Sequence, residues 1–388
     1  MNSTTGQDVA VVLEARVVRG AGGGPDKTIL NTPRFLEGAG YQVVCGYMHP
    51  PGDPGFESLR RKAERWGATL LSVPDRGPLD WHVINKYLTI CKTERVTIWH
   101  GHDYKSNLIG LVLRRFWPMH LVTTVHGWVD RRVKHYYWID KFCLRHYDRV
   151  ICVSDDLFQE SLARGVAEER CFLIENAVDV VEFARTQSPE NARRRLGEDP
   201  GRLVIGAVGR LQAEKGFDVL IRAADRLLAR GHDFDVWIVG EGDQHETLQA
   251  LIDALGRGDR FRLLGYRADP IDVYQAMDIF ALSSLREGLP NVVLEAMALE
   301  IPLAATRIAG IPRLIEHDMN GLIVEPGSVD SLEVALARLL ADPELRARLG
   351  RAARASVEER YSFDSRMSKI RRVFDDLLGR TSRKVSND

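Results

Sequence analysis

Five cysteines in 388 residues are too few and too scattered to build a covalent framework. Cys45, Cys91, Cys143, Cys152 and Cys171 are odd in number and never spaced C-x-x-C, which excludes a zinc-finger pattern and a disulfide scaffold and fits a reducing compartment. No apolar run approaches the roughly 18 residues of a membrane-spanning helix. Met1 to Asp8 are polar, without the basic-then-apolar order of a secretory signal. Charge of one sign is also missing: 53 Lys and Arg stand against 54 Asp and Glu, a formal net charge of −1. General nucleic-acid binders carry a marked basic excess, so no nucleic-acid partner is expected. With 45% hydrophobic and 28% charged residues, a cytoplasmic protein is expected, and at about 150 residues per domain it has two or three domains.

What is present is a repeated alternation of short β-branched runs with helical patterns, the mark of βα units and parallel sheets. Predicted strands fall at 9–18, 42–47, 69–73, 96–99, 121–125 and 149–153, then at 203–208, 235–239, 262–264, 279–282, 303–305 and 322–324. All five cysteines precede residue 172 and eight of eleven histidines precede residue 147, so the halves are different units. The polar stretch between Glu182 and Pro200, bounded by Pro189 and Pro200, is expected to be a linker. The expected fold is α/β, with two Rossmann-like domains whose parallel sheets face an interdomain cleft at the carboxyl ends of their strands. The boundaries are 1–185 for the first domain, 186–201 for the linker, 202–360 for the second domain, 361–380 for a terminal helix and 381–388 for a disordered tail. Asp342 ahead of Pro343 caps a late helix that Tyr361 interrupts.

Three glycine-rich turns follow apolar strands. Gly20 to Gly24 precede Pro25 and a helical run, so the amides of Gly22, Gly23 and Gly24 can face an anion at a helix N-terminus; an ordinary tight turn explains the pattern as well. Gly206 to Gly216 place Gly209, Arg210 and Lys215 between a strand and a helix. A forked guanidinium and a compact ammonium suit a diphosphate, and solvated loop cations are the alternative. Gly240 and Gly242 form the third turn. Neither a G-x-G-x-x-G fingerprint after the first strand nor a Gly-Lys-Ser/Thr phosphate loop is present.

The stretch from Ser283 to Ala298 carries two carboxylates. A strand ends at Leu282, Glu287 lies in the loop, and Pro290 is expected to open a helix with Glu295 in its second turn. Gly288, Leu289 and Asn291 would then present amides beside Glu287. A carboxylate and amides together suit a polyhydroxylated ligand. Stabilising a helix dipole is the other role open to Glu295, and two carboxylates at one helix end are poorly placed to flank a scissile glycosidic bond.

In order along the chain these motifs resemble the retaining glycosyltransferases of the GT-B fold, family four, also called group 1. EGLPNVVLEAMA from Glu287 matches the family's E-x7-E motif, GRLQAEKGFDVLI its phosphate segment and IVGEGD its nucleotide turn. ENAVD at Glu175, VSD at Val153 and VHGW at Val125 also fall in order, with Ala177 where a glycine is usual. The resemblance implies a hexosyltransferase acting without a metal or other cofactor on a nucleoside-diphosphate sugar, UDP- or GDP-linked. It gives Arg210 and Lys215 the diphosphate, Glu295 the ribose and Glu287 the sugar with the amides after it. His126 would reach the sugar from the first domain, Gly22 to Gly24 would approach the phosphates, and the last helix would cross back to the first domain. Retention implies front-face attack, the leaving phosphate oxygen taking the acceptor's proton. The acceptor would be a glycan or lipid-linked hydroxyl in bacterial surface polysaccharide or glycolipid synthesis. A sugar-nucleotide epimerase of similar fold and a non-catalytic sugar-nucleotide sensor are the alternatives. Ala309 and Arg313 depart from the family's G-G-x-P-E segment and, with Asp26 and Lys27, are expected to reflect donor or acceptor choice.

From Lys105 to Arg149, nine Lys and Arg face only Asp130, Asp140 and Asp148, interleaved with Phe116, Trp117, Trp128, Tyr136, Tyr137, Trp138 and Phe142. Such a mixture suits peripheral association with an anionic membrane, on the inner face of the cell membrane. An amphipathic helix burying its aromatics is the competing expectation. His100 and His102, lacking a third ligand at regular spacing, read as cleft or core histidines rather than a metal site.

Overall fold

The computed structural model describes residues 9–78, 80–127, 134–267, 270–308 and 310–380, with Lys134 and His135 described through their backbone only. The chain divides into two compact units, residues 1–175 with 364–388, and residues 176–363.

The first unit carries a seven-stranded sheet in the order β3-β2-β1-β4-β5-β6-β7, parallel throughout. The strands are β1 Ala10–Val17, β2 Tyr41–His49, β3 Thr69–Pro74, β4 Val96–Gly101, β5 His120–Val125, β6 Arg149–Cys152 and β7 Cys171–Leu173. The three-residue β7 is too short to leave a hydrophobic pattern, and it is the one strand here that sequence alone does not predict. β1 lies between β2 and β4 with its first six residues buried, as expected for a parallel strand covered on both faces. Its one buried carboxylate, Glu14, stands opposite His100 of β4 in register. The helix Phe363–Leu377 belongs to this unit from Asp364 onward. It buries Phe374 against His100 and Tyr41, and Tyr41 Oη donates to Asp375 Oδ1 at 2.5 Å. Arg366, buried, donates to the carbonyls of Ile174, at 2.8 Å, and Glu175.

The second unit carries a six-stranded parallel sheet in the order β10-β9-β8-β11-β12-β13. These are β8 Leu203–Val208, β9 Phe234–Val239, β10 Phe261–Leu263, β11 Ile279–Leu282, β12 Leu303–Thr306 and β13 Leu322–Val324. All six coincide with predicted strands to within a residue or so. Asp342 caps the helix Pro343–Arg360 by accepting from Leu345 N at 2.9 Å, and Tyr361 ends it.

The expected linker is corrected. Residues 186–201 include a helix, Pro189–Arg195, capped by Ser188 and packed into the second unit. Arg193 is buried there, bonded to Asp278 Oδ2 at 2.7 Å, Ala276 O at 2.8 Å and Pro200 O at 3.0 Å. Composition registers charge density, not charge pairing, so a buried ion pair reads as polar chain. The chain instead passes between units at 175/176 and 363/364. The expected tail at 381–388 lies outside the described residues. Among the described residues no helix is long and apolar enough to cross a membrane.

Candidate functional site

β8 and β11 are neighbours although β9 and β10 intervene in sequence, so the strand order reverses between them. In open α/β sheets ligands bind where the loops part at such a reversal. The loop after β8 contains Gly209 and Arg210, then a tight turn at Ala213–Lys215, then the helix Phe217–Ala229. Gly216 joins turn to helix at φ 59°, and a Cβ there would lie 2.3 Å from Ser283 O. Glycine meets both demands, and Lys215 is thereby held against the loop after β11. Ser283 Oγ donates to Lys215 O at 3.0 Å, and Leu285 N donates to Glu214 O at 2.7 Å. Lys215 Nζ donates to Glu287 Oε1, which also accepts from Ser284 Oγ at 2.9 Å. Arg210 is exposed and forms no ion pair among the described residues.

The turn after β9 braces this loop. Gly209 N donates to Val239 O at 3.0 Å and Leu211 N to Glu241 O at 2.9 Å. A Cβ on Gly240 would lie 1.8 Å from Gly209 O, and one on Gly242 2.3 Å from Leu211 O. Both glycines let two backbones touch and so place Arg210. Around Gly288 there is open space, whereas Gly288 O accepts from Gly310 N at 3.3 Å and Leu289 O from Asn176 Nδ2 at 3.2 Å. Pro290 caps the helix Asn291–Ala298 from just outside it. Asn291 Oδ1 is buried without a partner among the described residues. Glu295 is buried in the second turn, and Tyr274 Oη donates to its Oε2 at 2.9 Å. Burial and the Glu295 carboxylate hold the Tyr274 hydroxyl well above its ordinary range, so it remains a donor.

In the first unit His126 follows β5, and its Nε2 lies 2.9 Å from His102 Nδ1. His102 Nε2 lies 2.5 Å and His100 Nδ1 3.0 Å from one oxygen of Glu14, all three residues being buried. Burial would raise the Glu14 carboxyl, but the two rings outweigh it and hold it at about 2. Burial, with His100, lowers His102 to about 4 despite Glu14. Burial, His102, Arg16, Arg366 and His100 together lower His126 well below its usual value. Between about pH 6.5 and 4 the unfolded chain then binds protons that this cluster refuses, so stability falls with acidification. Below about 4.5, Glu14 adds to the loss in the same direction. The first unit is expected to lose of order 2 kcal/mol through His102 between neutral pH and about pH 4.5. Urea unfolding of wild type and His102→Gln at both pH values checks it: the variant's loss should be visibly smaller.

The loop after β1 is committed internally. Gly23 N donates to Asp26 Oδ2 at 2.6 Å, and Gly20 N to Asp53 Oδ2 at 2.7 Å. Asp26 is buried against Arg16 Nε at 2.7 Å, and a Cβ on Gly22, at φ 76°, would meet Asp26 Oδ2 at 2.7 Å. Gly24 begins the helix Gly24–Leu36, with Pro25 second. The Gly23 amide is thus occupied by the chain's own carboxylate. Ala309 lies outside the described residues; Arg313 is exposed on the short helix Ile311–Leu314.

Comparison with known proteins decides the family. A model of Glycosyltransferase Family 4 matches residues 22–182, and one of Glycosyl transferases group 1 matches residues 188–356. The D-inositol 3-phosphate glycosyltransferase of Corynebacterium jeikeium is 30% identical over 317 residues, 75% of each chain. This chain belongs to the group 1 glycosyltransferases. Another relative is the UDP-Gal:α-D-GlcNAc-diphosphoundecaprenol α-1,3-galactosyltransferase of Escherichia coli, 26% identical over 309 residues, covering 74% of this chain and 78% of that enzyme. Among solved structures, HepE of Anabaena in complex with UDP-glucose superposes with a TM-score of 0.80 at 19% identity, over 95% of this chain and 99% of its own. That likeness is one of fold, and the fold is GT-B.

For this group 1 glycosyltransferase, sequence reasoning singled out Lys215 and Glu287 as candidates without foreseeing that they touch. It missed Tyr274, the anchoring role of Asp26 and the link from Glu14 through His102 to His126. A signal for the last was present: a carboxylate inside the apolar run AVVLEARV needs buried partners.

Proposed function

We propose that this glycosyltransferase moves a hexosyl group, with retention and without a metal, from a UDP- or GDP-linked sugar to a hydroxyl of a glycan or lipid-linked acceptor in bacterial surface polysaccharide or glycolipid synthesis. The observation that carries this is the Lys215–Glu287 pair beside exposed Arg210 at the strand-order reversal of the second unit. A departing nucleoside diphosphate gains negative charge on its terminal oxygen, and fixed cations aimed there lower the barrier. An ammonium has three donors, so Lys215 can keep Glu287 and still reach a phosphate oxygen. Glu295, oriented by Tyr274, is the candidate for the ribose hydroxyls. The bond from the anomeric carbon to the phosphate oxygen breaks with its electron pair on that oxygen. The acceptor oxygen bonds to the same face, and its proton passes to the departing phosphate. UDP-glucose in the HepE complex and the undecaprenol-linked acceptor named for the Escherichia coli relative support the substrate classes. Donor screening by thermal shift across UDP-, GDP- and ADP-sugars, followed by transfer in EDTA with NMR of the product's anomeric proton, tests it. Abolition of transfer by EDTA, or an inverted product, overturns it.

Peripheral membrane binding belongs to the same proposal. The helix Lys134–His146 exposes Trp138 and Phe142 by 62% and 55%, and Phe116 beyond the helix Tyr104–Leu113 is 64% exposed. Lys141 lies 5.3 Å from the Trp138 ring centre, and Arg114, Arg115 and Arg145 are exposed. These three aromatics are exposed, whereas Trp117 packs against the core of the first unit and Tyr136 and Tyr137 are half-buried, so the competing expectation holds for part of the stretch. Trp128, Asp130, Arg131 and Arg132 lie outside the described residues. Each basic residue near an anionic surface contributes about 1 kcal/mol. Co-sedimentation with phosphatidylglycerol vesicles is expected to fall about tenfold or more in a Trp138→Ala/Phe142→Ala variant; equal recovery on neutral vesicles would remove the charge component.

A further inference from the structure

β3 is an edge strand of the first sheet, and the helix Trp81–Thr93 follows it after a short loop. The helix turns Val83, Tyr87 and Cys91 into the core of the first unit, which leaves His82, Asn85, Lys86 and Thr89 exposed on one face at spacings of three and four. Between that face and the end of β3, at Val73 and Pro74, lies a groove of about 440 Å³ that Arg76 also lines. That volume falls in the usual range of small-ligand sites. Every lining residue belongs to the first unit.

The groove is left with excess positive charge because the acids around it are committed. Asp80 accepts from Arg76 N with one oxygen and from His82 N with the other, both at 3.0 Å. Asp75 is held through both oxygens by Lys105 Nζ at 2.6 Å. Arg76 and Lys86 are exposed and form no ion pair among the described residues. Thr89 Oγ1 donates to Asn85 O at 3.0 Å, so its lone pairs stay available, and the Asn85 amide offers donors and an acceptor. Beside the groove, Trp81 is 68% exposed. An indole face packs on the apolar C–H face of a sugar ring, while a guanidinium and an ammonium take a carboxylate or a phosphate. The first sheet reverses its strand order between β1 and β4, where an open α/β sheet places its ligand crevice. The groove begins on the same carboxyl-end rim, two strand spacings or about 10 Å beyond β1.

We propose that this groove binds an anionic glycan, with Arg76 and Lys86 taking the carboxylate or phosphate of one sugar unit and Trp81 stacking on a neighbouring ring. This rests on the sugar-transfer function proposed above and narrows its acceptor to a chain with acidic units, gripped away from the reacting hydroxyl. An acidic peptide would meet the same cations without a sugar ring for the indole or hydroxyls for Asn85 and Thr89.

¹⁹F NMR of the full chain labelled with 5-fluorotryptophan, its Trp81 signal assigned by Trp81→Phe, reads occupancy without turnover. A galacturonate hexamer is expected to move that signal and to bind about tenfold or more tightly than its neutral, fully methyl-esterified counterpart. Arg76→Gln with Lys86→Gln should weaken binding by about tenfold, the scale of two exposed charge pairs, and Trp81→Ala by about fivefold. All three side chains are exposed, so melting temperatures should match wild type. A phosphorylated mannose oligomer is the second anionic probe; binding of either supports the proposal, and the tighter one identifies the charged group. An unmoved Trp81 signal with both probes, equal binding of the neutral hexamer, or binding that survives the double substitution overturns it. So does hexaglutamate binding as tightly as the acidic glycan, which would make the groove a peptide site. In transfer assays the double substitution should raise KM for an acidic acceptor by about tenfold. Absence of transfer to any acceptor defeats the proposed function instead and leaves the ¹⁹F titration to decide the groove.

Discussion

Lys215→Ala is expected to lower kcat at saturating donor by about two to three orders of magnitude, the usual scale for removing one fixed group that stabilises developing charge. The loss should exceed that of Arg210→Ala, although both remove one cation. Arg210 is exposed, and its removal takes a guanidinium from the solvent side. Lys215 is partly buried and paired with Glu287, so its removal also leaves a carboxylate uncompensated beside the proposed diphosphate. That second effect is separable. Glu287→Gln in the Lys215→Ala background should recover part of the lost rate, while in the wild-type background it should cost activity. A double-mutant cycle on kcat isolates the interaction between the two residues. Strictly additive effects would mean that the pair is a structural brace between the loops after β8 and β11. Thermal melts of all four proteins are the control, since Ser283 also ties these loops together.

Much of this arrangement was legible in the sequence because the signals are local. Twelve of the thirteen strands leave short apolar runs that can be recognised, although β10 and β12 hold few β-branched residues. The cations after β8 and the carboxylates after β11 stand out because each lies between a strand and a helix. What escaped is what depends on partners distant in sequence. Gly240 reads as a ligand-facing turn, yet its lack of a side chain serves Gly209 O. Gly23 reads as an open amide, yet Asp26 three residues on fills it. His126 was identified through family resemblance, but its link to Glu14 needs β1, β4 and β5 set side by side, a fact of sheet order that no spacing in the chain records.

The same limit explains Arg193, and there the expected effect is on stability. Arg193→Ala should destabilise the second unit by about 3–5 kcal/mol, the range for breaking a buried ion pair from one side. Asp278 would keep Val204 N, at 2.8 Å, as a donor but lose the guanidinium at 2.7 Å, and Ala276 O and Pro200 O would lose theirs. Burial pushes the Asp278 carboxyl up, and Arg193, together with the Val204 amide, restrains it. Without Arg193 the folded-state pKa rises further. A carboxyl raised on folding is tolerated when protonated and costs stability once ionised, so the penalty should be largest near neutral pH and shrink as pH falls toward that pKa. Thermal unfolding should show a drop of roughly 10 °C at about pH 7.5 and a smaller one at about pH 5.5. Arg193→Met with Asp278→Asn should recover much of the loss, because removing both charges leaves no unpaired ion behind. An unchanged melting temperature, or a penalty that grows on acidification, would show that the helix Pro189–Arg195 is held by something other than this pair. Val204 stands near the amino end of β8 and Arg210 beyond its carboxyl end. Donor affinity measured well below the variant's melting temperature should therefore match wild type, which separates the anchoring of this segment from the chemistry at the far end of the same strand.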